Sequence, residues 1–229
     1  MLTAEELSAL TLSLKVSIWC VAATLPPGVL LGFLLAKRQF PGKAVVEAVL
    51  HMPLVLPPVV IGYMLLLTFG KNGWLGHWLD AAFGVSVAFS WKGAAIASGV
   101  MGFPLMVRAV RLSMSLVDPR LEQAASTLGA SPTRVFFYVT LPLAAPGILT
   151  GSILSFARSL GEFGATITFV GNIQGETRTL PLALYTYTQT PGADEPAIRL
   201  VLISLVVSFG ALIASETLTR RAEQRLRGV

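Results

Sequence analysis

Residues 118–142 have the types and spacing of a segment that docks into another protein. Asp118 can cap a helix that starts at Pro119, and Gly129 can end it. Ser131-Pro132 can start a second helix in the same way. One face of the first predicted helix is narrow and made of small or apolar residues, namely Leu121, Ala124, Ala125 and Leu128. Such a face suits a groove on a partner, and the alternative is an ordinary connector between two membrane segments.

A second pattern consists of small residues at intervals of four, Gly147, Gly151, Ser155 and Ser159. On a helix these residues form one continuous face. That face either packs against another helix or lines a pathway, in which the hydroxyls would offer hydrogen bonds. We expect it to line or gate the translocation route. An earlier segment repeats the spacing with Ala94, Ser98 and Gly102, so we expect the two helices to pack together.

Two ionisable residues lie at the end of this small-residue face. Arg158 and Glu162 are four residues apart and can form an ion pair on one side of a helix. At membrane depth such groups usually face a bundle interior or a water path, and pairing at the interface is the alternative. Glycine and hydroxyl residues come next, namely Phe163, Gly164, Thr166 and Thr168. Their hydroxyls and backbone donors suit an oxyanion, so segment 162–168 is a candidate gate.

Apolar segments of membrane length must position these residues. The chain has 229 residues, of which 54% are hydrophobic and 13% charged, a composition typical of an all-α integral membrane protein. Five segments can each cross a hydrocarbon core of about 30 Å, near residues 10–36, 44–69, 85–107, 140–160 and 198–218. We therefore expect one membrane domain over 10–218 with a polar tail over 219–229.

Positive charges orient these predicted spans. Three groups fall on one side and hold eleven of the 17 Lys and Arg: Lys37, Arg38 and Lys43; Arg108, Arg111, Arg120 and Arg134; and Arg220, Arg221, Arg225 and Arg227. The positive-inside rule makes that side cytoplasmic, which places the N-terminus outside and the C-terminus in the cytoplasm. The net charge of +5 thus reflects membrane topology and is no argument for a nucleic-acid partner.

The second predicted span contains three prolines, Pro53, Pro57 and Pro58, which should break or kink it. Glu47, near its start, should lie at the cytoplasmic interface. One cysteine and two histidines give no basis for a metal site or a disulfide. We also find no cluster of polar residues that could be catalytic.

The loop over 118–142 resembles the cytoplasmic "EAA" coupling loop of ABC-importer permeases. Ala124 and Ala125 take its alanine places, Gly129 its glycine, Val139 its isoleucine, and Leu141-Pro142 its ending. Gln123 stands where the family has glutamate, and Glu122 precedes it. Either residue could therefore make the polar contact. The resemblance implies that the loop couples to an ATPase through Leu121, Glu122, Gln123, Ala124, Ala125, Leu128 and Gly129.

Within that family the chain is similar to the molybdate permeases. The similar stretches are 51–60, 159–169, 171–173 and 175–179, and the likeness extends from about Leu12 to the tail. It implies a type I ABC-importer permease fold in the bacterial cytoplasmic (inner) membrane. Expected partners are a second copy, cytoplasmic ABC ATPase subunits, an extracytoplasmic molybdate-binding protein and the lipid bilayer.

ATP should be used by the partner, with no cofactor bound by this chain. The sequence contains no Gly-x-x-x-x-Gly-Lys-Ser/Thr loop to hold ATP phosphates. A permease for tungstate or for sulfate or thiosulfate is an alternative. An ion-coupled secondary transporter is an alternative of a different class. Its coupling acids would have to be Glu47, Glu162 or Glu216, which are few and lie near span ends. A stand-alone channel is a further alternative, but a channel would not need the capped coupling helix predicted over 118–142.

Overall fold

The computed structural model describes residues 3–227, and every regular element in that range is helical. In chain order the α-helices are α1 (Ala4–Lys37), α2 (Lys43–Val55), α3 (Pro58–Phe69), α4 (Trp74–Phe83), α5 (Trp91–Ser115), α6 (Pro119–Thr127), α7 (Pro132–Val135), α8 (Leu141–Leu143), α9 (Ala145–Leu160), α10 (Gly164–Val170), α11 (Leu180–Thr188) and α12 (Asp194–Arg227). A short π-helix, Phe136–Thr140, lies between α7 and α8.

Three single helices are long and apolar enough to cross a membrane: α1, α5 and α12 as far as Ala214. Two bent pairs raise the number to five if each pair counts as one span. The first pair is α2 with α3, bent by 112°, and the second joins Pro132–Leu143 to α9 at 67°. The prediction of about five spans therefore matches the upper count within the described residues.

Two of the spanning helices begin at residues other than the predicted span starts, because side chains near those residues cap them. The first span starts at Ala4 instead of near residue 10, since the Thr3 hydroxyl accepts the Glu6 N–H and the Glu6 carboxylate accepts the Thr3 N–H. The third starts at Trp91 instead of residue 85, because Ser90 caps it through the Gly93 N–H. The predicted tail continues α12 to Arg227, and residues 228–229 lie outside the described range.

Two of the three prolines of the second span produce its bend. Leu56 has extended backbone torsions (φ −71°, ψ 145°), which the following Pro57 favours. Pro58 then opens α3, where a missing N–H costs nothing. Pro53, in contrast, lies inside α2 without ending it, so the prediction of a break there was wrong.

Ion pairs join the same ends of neighbouring spans. Glu47 of α2 meets Arg111 of α5 at 2.9 Å, at the end where the loop over 118–142 lies. At the opposite end Glu6 is fully buried and meets Arg199 of α12 at 3.1 Å. A buried carboxylate needs such a partner because desolvation penalises its charge.

Candidate functional site

The loop over 118–142 folds as its sequence predicts. The Asp118 carboxylate accepts the Arg120 N–H at 2.9 Å and caps α6. Gly129 follows α6 with φ +85°, a left-handed conformation that favours glycine. Ser131 then caps α7 through the Arg134 N–H at 3.4 Å. The predicted caps and the glycine stop are confirmed.

α6 presents an apolar face that the rest of the described chain leaves uncovered. Leu121 is 49% exposed and Leu128 is 89% exposed, and no residue of α6 is buried. Ala124 lies between them and is exposed, while Ala125 is half-buried. Leucines left exposed on and next to a capped helix suit a docking surface better than a solvated connector.

Glu122 and Gln123, which the sequence left as alternatives, lie in different environments. The Lys37 ammonium, at the end of α1, donates to Glu122 Oε2 at 3.0 Å. The Thr140 hydroxyl donates to Glu122 Oε1 at 2.6 Å. Gln123 is exposed. Glu122 thus contacts other parts of its own chain, whereas the side chain of Gln123 is exposed.

The small-residue face of α9 packs against α5. A Cβ added to Gly102 of α5 would lie 2.6 Å from the Ser155 hydroxyl oxygen, and one added to Gly151 would lie 3.0 Å from the Met106 carbonyl oxygen. A Cβ on Gly147 would collide with Ser113.

Ser155 and Ser159 are buried as well, at 0% and 5% exposure. The expected packing of α5 on α9 is confirmed. The placement of these four residues does not support the expectation that they line a route, because α5 occupies the space beside them.

The segment that follows α9 is built around Glu162. Its side chain is 1% exposed and lies 2.7 Å from the guanidinium of Arg158, which is 28% exposed. Glu162 Oε1 also accepts the Ala165 N–H at 2.7 Å, in the first turn of α10. The guanidinium of Arg158 is therefore partly exposed, whereas the carboxylate of Glu162 is buried.

Segment 162–168 lies directly on the bend of the second span. A Cβ on Gly164 would lie 2.7 Å from Pro58, and one on Gly62 of α3 would lie 2.5 Å from the Ala165 carbonyl oxygen. Phe163 is half-buried, and its ring centroid is 5.2 Å from that of Tyr185 in α11. Movement of α10 would therefore also move α3.

The threonine hydroxyls of this segment already have acceptors. Thr166 is buried and donates to the Phe163 carbonyl at 2.8 Å. Thr168 is half-buried and donates to the Gly164 carbonyl at 3.0 Å. The expectation that they offer free donors to an oxyanion does not fit this conformation.

Sequence reasoning missed the partners that come from distant parts of the chain. Lys37 and Thr140 were not recognised as partners of Glu122, and Pro58 and Gly62 were not recognised as the support of α10. Lys37 and Glu122 are 85 positions apart, so no local pattern connects them. Within residues 3–227 no three His, Cys, Asp or Glu side chains could hold a metal ion together.

Comparisons with known proteins agree with this architecture. The family described as "binding-protein-dependent transport system inner membrane component" matches residues 28–224. The molybdenum transport system permease protein ModB of Escherichia coli is 56% identical over 224 residues, covering 98% of both chains. ModB of Haemophilus influenzae is 54% identical over 221 residues, covering 96% of both.

One solved structure, a bacterial ABC transporter that imports the acidic polysaccharide alginate, matches with a TM-score of 0.76 at 15% identity. The match covers 96% of this chain and 80% of that chain. At this identity it shows the fold alone, and the fold is that of a type I ABC-importer permease.

Close packing of α9 on α5 predicts that Gly147→Ala destabilises the protein. The new methyl group would collide with Ser113, and overpacking of this kind costs about 1–3 kcal/mol. Thermal unfolding of the purified protein in detergent, followed by size-exclusion chromatography, should show a lower midpoint.

The matched control is Gly161→Ala, because a Cβ at Gly161 has no neighbour within 4 Å. Its unfolding midpoint should equal that of the wild type. Equal midpoints for both variants would contradict the packing description.

Proposed function

Because this chain belongs to the family of binding-protein-dependent transport system inner membrane components, we propose that it is the permease subunit of an ATP-driven importer that carries molybdate across the bacterial cytoplasmic membrane. The observation that carries the proposal is the near-complete length of its similarity to molybdenum permeases. That similarity takes in both the loop over 118–142 and the segment over 162–168. The chain is a multi-pass membrane protein, and its relatives are transport permeases.

The complex that we propose contains two copies of this chain, cytoplasmic ABC ATPase subunits and an extracytoplasmic molybdate-binding protein. α6 supports this assembly because it is capped at its start and its apolar face is exposed. ATP hydrolysis belongs to the ATPase, since the sequence has no loop for nucleotide phosphates. The lipid bilayer and the second copy together cover the exposed apolar side chains of the spans.

In this assembly the loop over 118–142 and the C-terminus face the cytoplasm, and the N-terminus lies outside. The distribution of Lys and Arg supports this orientation. Labelling of a cysteine at Ser126 by an impermeant thiol reagent from outside intact cells would contradict it.

Segment 162–168 is the gate in this proposal. Arg158 neutralises the buried carboxylate of Glu162 and leaves its guanidinium partly exposed, so an approaching dianion meets a cation first. The attraction stays weak because the same guanidinium is already paired. A dianion can therefore leave again, as transport requires. Phe163, Gly164 and Thr168 are the half-buried residues that can change their exposure when α10 moves.

Docking of the ATPase on α6 predicts that Ala124→Glu prevents assembly. A carboxylate placed in an apolar groove loses its hydration without gaining a partner. The amount of ATPase that co-purifies with the permease should fall by about tenfold or more.

The matched control is Gln224→Glu, which adds the same charge to an exposed position on α12. It should co-purify with a normal amount of ATPase. A wild-type amount of ATPase on Ala124→Glu would sink the docking assignment.

The function itself is tested by reconstitution in liposomes. With the ATPase, the binding protein and ATP present, we expect uptake of labelled molybdate, and we expect tungstate to compete because it has the same charge and nearly the same size. Each omission of ATP, ATPase or binding protein should abolish uptake. Uptake that follows an ion gradient without the ATPase would instead indicate a secondary transporter. Uptake of sulfate but not of molybdate would contradict the assigned substrate.

A further inference from the structure

We propose that Glu122 is a positioning residue that ties α6 to two membrane spans at once, so that a displacement of α6 moves both. The inference rests on the proposed function and goes beyond it. It assigns Glu122 to the inner side of the coupling helix, away from the ATPase. Gln123 and the apolar face are left for docking.

The carboxylate of Glu122 has a separate partner for each oxygen. Oε2 lies 3.0 Å from Lys37 Nζ, on the last residue of α1. Oε1 lies 2.6 Å from Thr140 Oγ1, on the last residue of the π-helix. Lys37 Nζ also donates to the Val117 carbonyl at 3.3 Å, immediately before the cap of α6. Lys37 and Thr140 therefore both bind the N-terminal part of α6, through Glu122, and Lys37 also binds the residue before its cap.

The positions of the two charges favour the pair. Glu122 lies in the first turn of α6, where the helix dipole stabilises an anion, and Lys37 lies in the last turn of α1, where it stabilises a cation. The two side chains are only 21% and 18% exposed, so water and salt screen their attraction less than at an open surface. A pair of this kind holds two helix ends together more firmly than an exposed ion pair does.

Thr140 gives the carboxylate its connection to the span that carries the gate. It is 1% exposed and belongs to the π-helix that leads through α8 into α9. π-Helical turns are rare and are frequently found at functional sites. Arg158 and Glu162 lie at the other end of α9 and just after it. A pull on Thr140 is therefore applied to the helix whose far end meets the gate.

Loss of this tie should separate docking from transport. In the assembled complex with ATPase and binding protein, we expect Glu122→Gln and Thr140→Val to keep a normal amount of ATPase. Molybdate transported per ATP hydrolysed should fall by about tenfold, since each change removes or weakens a hydrogen bond to a charged group. Thr140→Val keeps the side chain's shape and so removes little besides the hydroxyl.

A charge exchange tests the pair directly. Lys37→Glu alone should uncouple transport, and the double variant Lys37→Glu with Glu122→Lys should regain part of the ratio of transport to hydrolysis. A role in folding alone would change the yield of the complex and leave that ratio unchanged. The matched control is Glu216→Gln, which breaks the exposed pair with Arg220 (2.6 Å) inside α12. Its ratio should be that of the wild type.

Two results would overturn the inference. One is a normal transport ratio in both Glu122→Gln and Thr140→Val. The other is loss of ATPase from Glu122→Gln to the same extent as from Ala124→Glu, since Glu122 would then contact the ATPase directly. If the wild-type chain itself failed to bind the ATPase, the proposed function would fail and not this inference.

Discussion

Backbone contact between α5 and α9 is the constraint on which the other features of this protein depend. In a membrane, helices gain little from hiding apolar surface, because lipid tails are just as apolar. Their association depends on close packing, which Gly102 and Gly151 permit by having no side chain. α1 meets α5 in the same way, since a Cβ on Gly32 would lie 2.6 Å from a Val110 methyl group. Three spans thus form one packed unit between the two candidate sites.

Charged groups occur at the ends of the spans and are paired there. Three carboxylates with little exposure each have a basic partner: Glu6 has Arg199, Glu122 has Lys37, and Glu162 has Arg158. A buried charge without a partner would destabilise the fold by several kcal/mol. One of these pairs, Glu6 with Arg199, joins two spans. The second joins α1 to α6, and the third joins α9 to the turn before α10. The same groups that neutralise buried charges therefore also connect separate elements.

The sequence predicted local features well because their causes are local. Asp118, Gly129 and Ser131 act on backbone groups within a few residues, so their roles in ending and starting helices could be read from spacing alone. α4 and α10 were not predicted as helices, since both are short and α10 is held by α3. Whether the Gly147 face packs or lines a route could not be decided either. Both interpretations require small residues, and only the position of α5 against this face in the folded protein distinguishes them.

In the candidate site, contacts between residues close in sequence could be predicted, and contacts between distant residues could not. Glu122 and Gln123 are adjacent in sequence and similar in size, and the difference between them lies in contacts with Lys37 and Thr140. Such contacts depend on how the spans assemble. The pair of Arg158 with Glu162 could be predicted from its spacing of four residues, although Glu162 lies in the turn just after the end of α9 and not on the helix itself.

If Glu122 couples α6 to α9, movement of α6 reaches segment 162–168 through these two elements. The most direct test is the distance between spin labels at Gly161 in the two copies of the complex, because this position is exposed and has space for a label. Binding of a non-hydrolysable ATP analogue should shift the distance distribution in the wild type and leave it unchanged in Glu122→Gln with the ATPase still bound. The same shift in both proteins would contradict the account.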